Sequence, residues 1–160
     1  MNQAVKTGII TGIVMVTLEY LVMIVPHGAA TAIMQYGSRI AFVAGVYLSI
    51  KFTRDKELEG QLPFKSGLKA GVGAALISGI IFSIYSFISW THLDMDAYLA
   101  EMRNANLQNK EILIALGNFT NANMMKGAAF LAITNVIIGF FISIAASLIL
   151  RKTGGLLNQN

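Results

Sequence analysis

The sequence predicts an all-α fold, a bundle of four transmembrane helices, and three observations predict it: composition, four long apolar runs, and a lopsided placement of Lys and Arg. Of 160 residues, 55% are hydrophobic and only 12% charged, with a mean hydropathy of +0.63. Soluble domains carry about 25% charged residues, so the expected solvent is mainly lipid. Four spans of about 20 residues each would occupy half the chain. That leaves one integral membrane domain over residues 1–160 and no room for a separate soluble catalytic domain. The chain has no cysteine, which removes disulfides, thiolate nucleophiles and thiolate metal sites.

The first apolar run covers residues 8–25, with Lys6 before it and the breaker Pro26-His27-Gly28 after it. Lys6 and the small residues Gly28-Ala29-Ala30 would also suit a cleaved signal peptide. The length of the run and Glu19 inside it favour a retained anchor. The second run, 31–50, is interrupted by Arg39 and closes on Lys51-Phe52-Thr53-Arg54-Asp55-Lys56-Glu57; its short connection to the first predicts a helical hairpin. The third and fourth runs cover 67–90 and 127–150, the last ending at Arg151 and Lys152. Each is long enough to cross about 30 Å of hydrocarbon at roughly 1.5 Å per residue.

Short cytoplasmic loops are enriched in Lys and Arg. Lys6, Lys51, Arg54, Lys56, Lys65, Lys69, Arg151 and Lys152 fall on one side and Arg103, Lys110 and Lys126 on the other, eight against three. Both termini and the 51–66 loop are therefore expected in the cytoplasm, where this basic ring would meet anionic lipid. Trp90 then takes an interfacial position at the outer end of span three. The outer loop, 91–126, is too long for a plain connection and is expected to be partly helical, over Asp94 to Arg103 and Asn109 to Leu116. It contains a glycosylation sequon, Asn118-Phe119-Thr120, relevant only in a eukaryotic secretory pathway.

Lipid gives helices no hydrophobic reason to associate, so close packing depends on small residues at helical spacing. Gly67, Gly71, Ala75 and Gly79 form such a seam on span three, and Ser83 continues it. Gly139, Ser143 and Ser147 offer one on span four, Gly37, Ala41 and Gly45 on span two, and Gly8 and Gly12 on span one. These lines serve contacts within the bundle or between copies of the chain.

Polar residues inside the spans cost more. A charge at the bilayer centre is penalised by roughly 2.5 to 3.5 kcal/mol on insertion scales. Glu19 and Arg39 stand about 10 and 12 Å from the outer end of their runs, and Asn135 and Ser83 stand at similar depth. The expectation is one polar cluster in the outer half, built on a Glu19–Arg39 pair with Asn135 and Ser83 and extended by Gln35 and Tyr36. Such a cluster would either fix the helix register or line a crevice for an ion, a proton or a lipid headgroup. His27, His92, Asp94 and Asp96 lie on the outer side without a zinc signature. No metal, no cofactor and no nucleic-acid partner is expected; the net charge of +4 reads as topology signal.

The stretch from Tyr47 to Ser89 carries a more specific pattern. Arg54, Asp55, Lys56, Gly60, Phe64, Leu68, Lys69 and Gly71 match an R-D-K-x-x-x-G-x-I-x-F-x-x-A-L-K-x-G type stretch between two apolar spans. It resembles the bacterial DUF4199 family of small multi-span membrane proteins, as does the closing run from Ile142 to Lys152. Leu62, Pro63 and Gly67 depart from that pattern. The resemblance implies a bacterial cytoplasmic membrane and brings no established activity, catalytic residue or cofactor. The function expected is a non-enzymatic accessory or scaffold protein that packs with itself, with lipid or with another membrane protein. The alternative is a small transporter, channel or lipid-binding protein working through Glu19 and Arg39.

Overall fold

The computed structural model of the chain describes residues 2–24, 29–92 and 121–157. These residues form four α-helices: α1 (Gln3–Ile24), α2 (Ala29–Glu57), α3 (Phe64–Thr91) and α4 (Asn121–Leu157). No strand occurs among them. Every helix overruns the apolar run that predicts it, because a helix satisfies its own backbone whether lipid or water surrounds it. The expected loop over 51–66 is therefore mostly helix. α2 continues to Glu57, and the true connection is the short turn before Phe64. Likewise residues 121–126, expected in the outer loop, already belong to α4. The helical stretches expected at Asp94–Arg103 and Asn109–Leu116 lie outside the described residues, as do His27, Asp94, Asp96 and the sequon.

Stretches within three helices are long and apolar enough to cross a membrane: Gln3–Val22, Phe64–Thr91 and Asn123–Arg151, with hydropathies of 1.6, 1.9 and 2.3. The exception is α2, whose 29 residues have the length, about 43 Å. Arg39, Gln35 and the charged end Lys51–Glu57 dilute its apolar character.

Burial runs opposite to that of a protein folded in water. Side chains with at most 1% exposure include Ser38, Ser49, Ser78, Ser143 and Ser147, whereas Ile10, Ile33, Ile40, Phe130 and Phe141 are each more than 60% exposed. Small residues fill much of the interior beside Met15, Phe42, Val46, Ile50, Leu62 and Leu150, and most of the large aliphatic and aromatic side chains cover the outside. A water-exposed bundle would bury the large apolar side chains instead; an environment as apolar as leucine leaves only close packing and hydrogen bonds to hold helices together.

The close packing follows a register. α3 and α4 run antiparallel with Gly67 against Ser147, Gly71 against Ser143, Ala75 against Gly139 and Gly79 against Asn135. Each advance of four residues on α3 meets a retreat of four on α4. A methyl group added at Gly71 would lie 2.8 Å from Ser143 Cβ and 2.9 Å from Ile50 Cδ1, so the two backbones approach as closely as they do only because that position has no side chain. α1 runs parallel to α3, with Gly8 beside Ala74 and Ile77 and Gly12 beside Ile81. It runs antiparallel to α2, where Gly45 receives Thr11 and Gly37 receives Leu18. α2 touches all three other helices, most extensively α1 and least α4.

Several buried hydroxyls return to their own helix. Ser78 donates to the Ala74 carbonyl at 2.9 Å, Ser86 to Phe82 at 2.9 Å and Ser143 to Gly139 at 2.5 Å. Ser49 instead crosses from α2 to α3, donating to the Ala70 carbonyl at 3.0 Å. Such bonds satisfy these four hydroxyls, whereas the buried hydroxyls of Thr53, Ser83 and Ser147 have no hydrogen-bond partner.

Candidate functional site

The polar side chains of the outer half separate into two places. Between α1 and α2, the half-buried Glu19 accepts a hydrogen bond from the Ser38 hydroxyl at 2.9 Å. Between α3 and α4, Asn135 is buried against Gly79, and Ser83 is buried nearby with its hydroxyl unpartnered. Tyr36 is 70% exposed on the outside of the bundle. The side chain of Gln35 is not among those described.

Glu19 and Arg39 do lie at the same depth, as their distances from the hairpin turn predict, but they do not pair. Successive residues of a helix are 100° apart, and in α2 it is Ser38 that faces α1. Arg39 is turned onto the next stripe. The buried stripe of α2 runs through Ser38, Phe42, Gly45, Ser49 and Thr53, and the exposed one through Arg39, Val43 and Tyr47. Depth along the chain was sufficient to match the two charges; azimuth decides whether they touch. Ser38 was the residue that depth alone missed, and its place on the small-residue stripe of α2 is the signal that would have found it.

Arg39 stands instead in a groove of about 640 Å³ between α2 and α4, where Ile40, Val43, Tyr47, Ile142 and Ile149 supply apolar walls. It is exposed, and among the described residues it has no ion-pair partner. The groove exists because α4 spends its small residues on α3. Gly139, Ser143 and Ser147 point there, so α4 turns Ile142, Ala145 and Ile149 toward α2 and cannot close up on it.

A second concentration of polar residues lies at the other end of the bundle, in the turn joining α2 to α3. Glu59 and Gly60 have φ of +50° and +86°, and the Gln61 N–H donates to the Leu58 carbonyl at 2.9 Å, the pattern of a type I′ turn. Leu62 then turns into the core, 6% exposed, and Pro63 leads into α3. Arg54, with its side chain 13% exposed, holds Asp55 at 2.7 Å through Nε and reaches the Leu150 carbonyl of α4 at 3.4 Å through Nη1. The Lys56 ammonium lies 5.1 Å from the centre of the Phe52 ring. Glu57 accepts the Gln3 N–H at 2.8 Å, capping α1 from another helix.

Each of these residues belongs to the stretch that carries the resemblance noted from sequence. A model of DUF4199, a family of proteins of unknown function, matches residues 6–152. The chain belongs to the DUF4199 family. In this DUF4199 protein the motif is thus a structural joint: Arg54 ties the turn to α4, Gly60 allows the positive φ, and Gly71 allows α3 to approach Ser143 and Ile50. No curated protein and no solved structure matches the chain.

Proposed function

We propose that this DUF4199 protein is a non-enzymatic accessory protein of a bacterial cytoplasmic membrane. It crosses the membrane four times with both termini inside, and it docks a partner membrane helix in the α2/α4 groove. The three apolar helices and the inverted burial support the membrane reading; the excess of Lys and Arg at the inner span ends supports the orientation. α2 is the fourth span, its Arg39 stationed for a partner.

The observation that carries the docking role is the position of that arginine. Arg39 lies twelve residues outward of Lys51, about 18 Å, beyond the middle of a hydrocarbon layer about 30 Å thick. There an unpaired guanidinium costs at least roughly 2.5 kcal/mol. A partner helix bearing a carboxylate or amide at that depth relieves the cost and fills the apolar groove beside it. The alternative, transport through a Glu19–Arg39 crevice, has less support. The two groups face different sides of α2, and the interior at the α3/α4 seam has no space for an added methyl group.

Because the chain lacks cysteine, Val43→Cys places a single crosslinking handle in the groove. Crosslinking in native membranes is expected to give one dominant adduct, a second copy or a different membrane protein. Arg39→Leu should abolish that adduct without changing the melting temperature of the purified protein. An adduct unaffected by Arg39→Leu, or ion flux in liposomes that disappears with Glu19→Gln while the fold persists, would sink the proposal.

A further inference from the structure

At the inner end, α1, α2 and α3 border an open pocket of about 220 Å³ where Asn2, Thr53, Glu57, Ser66 and Lys69 supply the polar lining and Ala4, Leu58 and Ala70 the apolar part. That volume equals about seven waters at roughly 30 Å³ each, enough for a phosphate with a short polar arm. Thr53 is 6% exposed, and its hydroxyl has no hydrogen-bond partner. A buried hydroxyl left without a partner is costly, and this one borders a polar cavity. Two opposite charges border the same cavity, yet among the described residues Glu57 and Lys69 make no ion pair with each other. One Glu57 oxygen is engaged by the Gln3 N–H; the other carries no bond among the described residues.

Lys69 also borders a second cavity, about 350 Å³, whose other walls are Leu68, Val72 and Phe140 on the outer faces of α3 and α4. A pocket with one carboxylate and one ammonium therefore adjoins an open apolar surface groove at a shared lysine. We infer that this is a site for a phospholipid with a zwitterionic, primary-ammonium headgroup. Lys69, Ser66 and Thr53 donate hydrogen bonds to the phosphate, Glu57 accepts from the ammonium, and an acyl chain lies on Leu68, Val72 and Phe140. A purely anionic headgroup would meet Lys69 through its phosphate but bring no cation to Glu57. A quaternary ammonium has no N–H to give that carboxylate. The lipid source rests on the membrane reading above; the headgroup chemistry does not.

The experiment is native mass spectrometry of the detergent-purified full chain with phosphatidylethanolamine, phosphatidylcholine or phosphatidylglycerol. A parallel titration uses soluble glycerophosphoethanolamine. The ethanolamine lipid should bind about tenfold more tightly than the other two, the scale of one net hydrogen bond. Glu57→Gln should remove that preference, whereas Thr53→Val and Lys69→Gln should each weaken all three lipids, which share the phosphate. Thr53→Val should leave the melting temperature of the ligand-free protein unchanged or raised, because the hydroxyl it deletes has no partner. Phe140→Ala should weaken lipid binding while leaving the soluble headgroup's affinity unchanged. Equal binding of the three lipids, wild-type selectivity in Glu57→Gln, or wild-type affinity in both Thr53→Val and Lys69→Gln would overturn the inference and leave the membrane reading standing. Binding of the soluble headgroup with no lipid binding would overturn the lipid assignment and count against the membrane reading too.

Discussion

α4 has two interfaces within one bundle, and they could hardly differ more. Toward α3 it presents Asn135, Gly139, Ser143 and Ser147 at four-residue intervals, and each fits a gap opposite Gly79, Ala75, Gly71 and Gly67. Toward α2, one-third of a turn away, it presents Ile142, Ala145 and Ile149, and a groove of about 640 Å³ remains. Without water to drive apolar faces together, contact distance alone separates a tight interface from a loose one, and distance is set by side-chain size. The seam is closed by small residues; the groove stays open.

The largest effect is expected where the seam is tightest. Gly71→Val drives two methyl groups into Ser143 and Ile50 and should cost about 3 kcal/mol, the upper range for overpacking, read as lost resistance to unfolding in mixed detergent. Ala145→Val, on the groove side of α4, should change little. A similar loss at both sites would erase the distinction between the two interfaces.

Next comes the polar contact that replaces the expected ion pair. Ser38→Ala leaves the half-buried Glu19 without its hydroxyl donor and should destabilise by about 2 kcal/mol, typical of a hydrogen bond to a charged group. A double-mutant cycle should show coupling between Glu19 and Ser38 and almost none, below about 0.5 kcal/mol, between Glu19 and Arg39. Strong coupling in the second cycle would restore the ion pair.

Gly60→Ala should cost about 1 kcal/mol. Its φ is +86° and nothing lies within 4 Å of an added methyl, so the loss is conformational rather than steric. Smallest of all, Arg39→Leu should shift the stability of the isolated protein by no more than about 0.5 kcal/mol, as for exposed sites generally. A large loss would mean that Arg39 serves the fold and not a partner.

Much of this was legible in the residues. The stripe Gly67, Gly71, Ala75, Gly79 can be read as a contact line because a period of four on a helix is a face, whatever the helix packs against. The R-D-K stretch with Gly60 and Gly71 marks the family before any coordinates. The polar cluster was legible only in part: rise per residue brings Glu19 and Arg39 to one height, but Glu19 meets Ser38, Asn135 faces Gly79 across another interface, and Arg39 lies outside both.

The sequence by itself therefore determined the class of solvent, the helices and the height of every residue along them, because composition and a fixed 1.5 Å rise depend on nothing beyond the chain. Only the tertiary structure decided which residues at one height meet. That depends on how each helix is rotated about its own axis, and the rotation is settled by the joint competition of all small-residue faces for close contact. Ser38 reached Glu19 and turned Arg39 outward. In the same way Thr53, unremarkable in sequence, and Lys69 of the family pattern came to share a cavity with Glu57.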